Sequence, residues 1–156
     1  MSSMKGCAVR IAVLFVVFGL FDAARASAQT ETWNQEKAAA LAGELESAAS
    51  GLRDAVRKSP MWENPQQKPT LYRISDKLRL IESESASLHA QLVKGAGMDE
   101  TLPTYERIQR LKRDAQVLAK KTDVSAITKP KLERATDVLN RLAVFYPAQP
   151  KPEPKS

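Results

Sequence analysis

Apolar residues recur along this chain at alternating spacings of three and four, in four separate stretches. That spacing keeps side chains on one face of a helix with 3.6 residues per turn. From Thr32 to Lys58 the stripe is Ala38, Leu41, Leu45, Ala48, Leu52 and Ala55, with Val56 alongside. Thr32-x-x-Gln35 fits a capping box, in which both side chains satisfy otherwise unpaired amides. Ser59-Pro60 ends this helix, because proline pushes the preceding residue out of the α region. From Thr70 to Lys94 the stripe is Leu71, Ile74, Leu78, Ile81, Ser85, Leu88 and Leu92, with Ser85 its one polar member. Gly95 stands where a terminating glycine belongs. A third stretch, Pro103 to Thr122, carries Tyr105, Ile108, Leu111, Ala115, Leu118 and Thr122, and Pro103 suits a first helical turn. The fourth, Lys129 to Tyr146, carries Leu132, Ala135, Leu139, Leu142 and Tyr146 between Pro130 and Pro147, and Val124 and Ile127 fit an earlier turn.

No stretch alternates with the period of two that a half-buried strand needs. Four helices, each with one apolar stripe, bury those stripes by packing them together. The pattern therefore predicts an all-α chain, an antiparallel up-down four-helix bundle over residues 29–146.

The flanks differ from this core. Lys5 and Arg10 precede an eleven-residue apolar run, Ile11 to Phe21, and Ala26-Ser27-Ala28 follows. A positive start, a short apolar run and small residues at a cleavage point make a secretory signal, with the cut expected after Ala28. The run is about half the roughly 20 residues that a spanning helix requires. Cys7 lies before the run, not after it, so lipidation is unsupported. At the other end, Pro147 to Ser156 reads PAQPKPEPKS, a segment too polar to pack and biased to an extended polyproline conformation. Its Pro-Lys-Pro-Glu-Pro alternation resembles a short piece of the spacer in TonB-type energy-transducing proteins, over about seven residues, and implies a spacer rather than an activity.

Composition narrows the chemistry. The chain has 156 residues, a formal charge of +6, one Cys and one His. This length corresponds to about one domain. One Cys and one His leave no disulfide framework, zinc-finger spacing or multi-histidine metal site. Cys7 leaves with the signal, and a thiol-free exported chain of this size fits the bacterial periplasm or exterior better than an animal secretome. Loss of three cations and one anion with the signal reduces the charge to about +4. Nucleic acid is not an expected partner for an exported chain, nor is an integral membrane span expected after cleavage.

The up-down topology brings Trp33, His89, Met98, Tyr105, Phe145 and Tyr146 to one end. One chemistry this suggests is a b-type haem, with His89 and Met98 as axial ligands. The architecture then resembles periplasmic four-helix cytochromes of the cytochrome b562 kind, with two departures: no C-x-x-C-H, and no His on the last helix. Ser85 and His89 are spaced for a hydrogen bond on one helix face, but no orienting acid or oxyanion hole accompanies them. No catalytic residues are assigned, and an enzyme is not expected. Two candidate binding surfaces remain. Met61 and Trp62 stand among polar residues of the Ser59–Pro69 linker, as an exposed anchor or a lid near Leu71 and Ile127. Arg107 and Arg110 share a face of the third helix and suit an anionic envelope component. The leading expectation is an exported, non-catalytic bundle that binds a protein or such a component, without a cofactor; the alternative is the haem carrier.

Overall fold

The computed structural model describes residues 32–122 and 128–146. The signal segment, the proline-rich tail, Val124 and Ile127 lie outside them. The chain is all-helical: α1 (Gln35–Arg57), a short 3-10 turn (Pro60–Glu63), α2 (Lys68–Val93), α3 (Met98–Ala119) and α4 (Lys129–Ala143). Among the described residues there is no strand, and no helix is long and apolar enough to cross a membrane.

The helix starts depart from the sequence pattern for local reasons. Asn34, not Thr32, caps α1: its backbone is extended and its side chain accepts the Lys37 amide at 2.9 Å. Gln35 is thereby free to donate its side-chain amide to the Leu92 carbonyl at 2.6 Å, which ties the start of α1 to the end of α2. α3 starts at Met98, ahead of Pro103, which falls inside the helix. Asp99 and Glu100 suit the positive end of the helix dipole, and the Gly97 amide donates to the Glu100 carboxylate at 2.8 Å. These contacts offset the one backbone bond that Pro103 removes. α4 stops at Ala143, and the Phe145 and Tyr146 amides close a tight turn on Leu142 and Ala143. Ser59 ends α1 as expected but then accepts the Met61 amide and starts the 3-10 turn.

Packing runs in the order α3, α2, α1, α4. Glu82 of α2 faces Arg53 of α1 at 2.7 Å. Lys77, Glu84 and Gln91, on another edge of α2, face Asp114, Arg107 and Thr104 of α3 at 3.1, 3.6 and 3.3 Å. Glu44 of α1 faces Arg141 of α4 at 3.2 Å. Rising numbers in α2 meet falling numbers in α3, so these neighbours run in opposite directions. α1 has two neighbours, and its buried positions, Ala39 aside, form two adjacent stripes: 38, 42, 45, 49, 52 and 56, and beside them 41, 48 and 55. Alanine at many of them lets α2 and α4 approach closely. α3 and α4 are not close neighbours along their lengths; they meet at one end through Tyr146. Leu132, at the far end of α4, is accordingly exposed, while Val138 is buried in its place on the working face. Each fully buried Leu, such as Leu45, Leu88 or Leu142, contributes about 1.5–3 kcal/mol. The exposed ion pairs each contribute about 0–1 kcal/mol, so the apolar stripes hold the fold.

Candidate functional site

The aromatic residues do gather at one end. Tyr105 of α3 stacks on Tyr146, with ring centroids 4.3 Å apart and planes 11° from parallel. Trp33, just before α1, meets Tyr146 and Phe145 edge-on at 5.6 and 6.5 Å. The Tyr146 hydroxyl hydrogen-bonds Thr101 Oγ1 at 2.8 Å, and the Tyr105 hydroxyl accepts from Gln109 at 2.7 Å. Burial pushes both phenols above the ordinary tyrosine value of 10.0; the Gln109 bond pulls Tyr105 partly back and the Thr101 bond does so for Tyr146, while the neighbouring Tyr146 charge raises Tyr105 further. The rings pack on one another, and an open groove lined by Gln35, Glu36, Ala39, Leu92 and Val93 lies between the start of α1 and the end of α2 at the same end. Met98, half-buried at the first position of α3, packs against the core there.

His89 packs against α1. Its ring lies against Gly43 of α1, with Nδ1, Cε1 and Nε2 at 3.6–3.7 Å from where a Cβ on Gly43 would stand. Gly43 is eight residues into α1, about 12 Å along the helix from Gln35. Its place on α2 explains this: His89 follows Glu82 by seven residues, on the edge that faces α1. Ser85 does not serve His89. Its hydroxyl donates to the Ile81 carbonyl at 2.7 Å, a bond to the preceding helical turn. Among the described residues no group of three or more His, Cys, Asp or Glu is placed to hold a metal ion.

Met61 and Trp62 sit at the opposite end, half-buried against the core. The Trp62 indole N–H donates to the Val56 carbonyl at 2.7 Å, folding the linker back over the end of α1. Tyr72 stands edge-on against Trp62, centroids 4.8 Å apart and planes at 78°, and remains 65% exposed. Arg57, Ser75, Asp76 and Arg79 complete an open groove around the two rings. Arg79 is held by Asp76 at 2.9 Å. Tyr72 is the residue that sequence reasoning passed over. The available signal was an aromatic one position outside the α2 stripe, where a ring has to face outward.

The basic face of α3 divides. Arg107 lies 3.6 Å from Glu84, while Arg110 is exposed. Lys112 is half-buried; desolvation and then the adjacent Arg113 lower its pKa. The two arginines therefore do not form an isolated cationic patch.

Comparisons with protein-family models, with curated proteins and with solved structures find no match to this chain.

Proposed function

We propose that this chain is an exported, non-catalytic accessory protein that binds a partner in the bacterial envelope through the surface around Trp62 and Tyr72. Its scaffold is an up-down four-helix bundle, and export removes residues 1–28. The observation that carries the reading is the pairing of an exposed ring, Tyr72, with a ring locked in place, Trp62. Large aromatic side chains are enriched where binding energy concentrates, and a ring already fixed loses little freedom when a partner arrives. The anchor expected at Met61 and Trp62 thus becomes a Trp62–Tyr72 pair, with Met61 packed against the core.

Haem held by His89 and Met98 is the weaker reading. A macrocycle at the aromatic end would have to displace the Tyr105–Tyr146 stack and the Thr101 hydrogen bond, and the His89 ring is packed on Gly43 of α1. The basic face of α3 also ranks below the aromatic groove, because Arg107 is already paired.

The test is a photo-crosslinking residue at position 72, compared with one at position 110, in cells exporting the chain. A crosslinked product from position 72 and not from 110, on a chain whose intact mass begins at Gln29, is the expected result. Products from position 110 alone would move the surface to α3, and a chain retained in the cytoplasm would remove the envelope role.

A further inference from the structure

Resting on the binding role proposed above, we infer that the Trp62–Tyr72 groove takes a proline-rich strand, and that the strand is Pro147–Ser156 of a second copy of this chain. Proline-rich strands are recognised by aromatic rings against their pyrrolidine rings and by donors aimed at their carbonyls, which a polyproline-II strand leaves without internal partners. The groove supplies both: Trp62 and Tyr72, with Arg57 and Ser75 beside them. Trp62 already uses its N–H on Val56, so the donors are the side chains around it.

The segment has a matching edge. A polyproline-II strand has three residues per turn, so Pro147, Pro150 and Glu153 share one side at steps of about 9 Å. The two rings, edge-on with centroids 4.8 Å apart, form one cleft that takes one proline, Pro150, and Glu153, one turn further on, matches Arg57, which makes no ion pair among the described residues. The alternating Lys151 and Lys155 lie off that edge.

Reach decides that the strand belongs to another copy. Tyr146 is stacked beside Trp33 at the start of α1, whereas Trp62 is bonded to Val56 near its end. From Gln35 to Val56 the helix measures about 33 Å. Pro150 is four residues beyond Tyr146, and four fully extended residues span at most about 14 Å. Pro147 and Pro150 cannot fold back onto their own groove. Groove and strand at opposite ends make a head-to-tail contact, which repeats from copy to copy.

The test is sedimentation velocity on the mature chain over a range of concentrations, with Tyr72→Ser and with Pro150→Ser/Glu153→Ser. Tyr72 is exposed, and Pro150 and Glu153 lie outside the described residues. The wild-type sedimentation coefficient is expected to rise with concentration, and each variant alone to lose that rise. An equimolar mixture of the two variants should recover a dimer and nothing larger, because only one intact groove and one intact strand remain to pair. A wild-type chain that stays monomeric throughout, or a mixture that stays monomeric, overturns the inference. A monomeric chain that still crosslinks from position 72 to a different protein also overturns it, and leaves the binding role standing.

Discussion

The hydroxyl of Tyr146 lies 2.8 Å from Thr101 Oγ1, and through this bond the turn after α4 reaches the first turn of α3. With the Tyr105 stack it is where α3 and α4 are tied together, since the two helices do not pack along their lengths. Tyr146→Phe removes the bond and keeps the stack. Thr101 retains its bonds to the Gly97 and Met98 carbonyls, so no buried donor is stranded and the expected loss is about 0.5–1.5 kcal/mol. Tyr146→Ala, which also empties the stack, should cost about 3–5 kcal/mol. Urea unfolding of the three proteins measures both; equal losses would mean that the stack contributes nothing.

Alkaline pH should act at the same end. The Tyr105 and Tyr146 phenols are raised above 10.0 mainly by burial, so the folded chain keeps protons that the unfolded chain has released. Their contribution to stability is complete below pH 10 and falls as pH rises from there through the folded values. Helical content followed against pH should show this loss, and the Tyr105→Phe/Tyr146→Phe protein should lose less over the same interval. Identical alkaline curves for the two proteins would contradict the assignment.

Three glycines separate conformational need from space. Gly51 has nothing within 4 Å of where a Cβ would stand, and the three atoms nearest that point at Gly43 all belong to the His89 ring, at ordinary contact distance. Both lie inside α1, where Gly→Ala should stabilise by about 0.5–1 kcal/mol. Gly95, with φ of 97° after α2, is in the left-handed region, and Ala there should destabilise by about 1 kcal/mol or more. Thermal denaturation of the three variants checks the signs. A destabilising Gly43→Ala would show that the His89 ring cannot share that face of α1 with a methyl group.

Ser85 is fully buried, yet its hydroxyl bonds only the preceding turn of its own helix. The Ile81 carbonyl remains in the helix ladder without it, so Ser85→Ala should change stability by no more than about 0.5 kcal/mol in either direction. A loss well beyond that, by denaturant unfolding, would indicate a role in the core that this bond does not describe.

The four helices were legible because Leu and Ala recur with the helical period, and α2 followed its stripe residue for residue. The end of α1 at Ser59 was legible from Pro60. The starts of α1 and α3 were not: Thr32 and Pro103 offered plausible caps, but Asn34 and the Gly97–Glu100 pair made the better local hydrogen bonds. A single stripe also understated α1, whose two neighbours bury Ala42 and Ala49 as well. At the candidate sites, the meeting of Trp33, Tyr105, Phe145 and Tyr146 followed from the order of the helices. The side on which His89 falls did not, because a residue beside a stripe faces one neighbour or the other according to which helices flank it. Tyr72 became visible only once the linker was seen to fold Trp62 back against it.

The division between a packed aromatic end and the proposed binding surface at Trp62 and Tyr72 is tested most directly by adding haem to the purified chain and recording its absorption spectrum. With the Tyr105–Tyr146 stack in place and His89 against Gly43, the spectrum should remain that of free haem plus protein, unchanged by His89→Ala. A Soret band that saturates at one haem per chain and disappears in His89→Ala would contradict this and make the aromatic end the site.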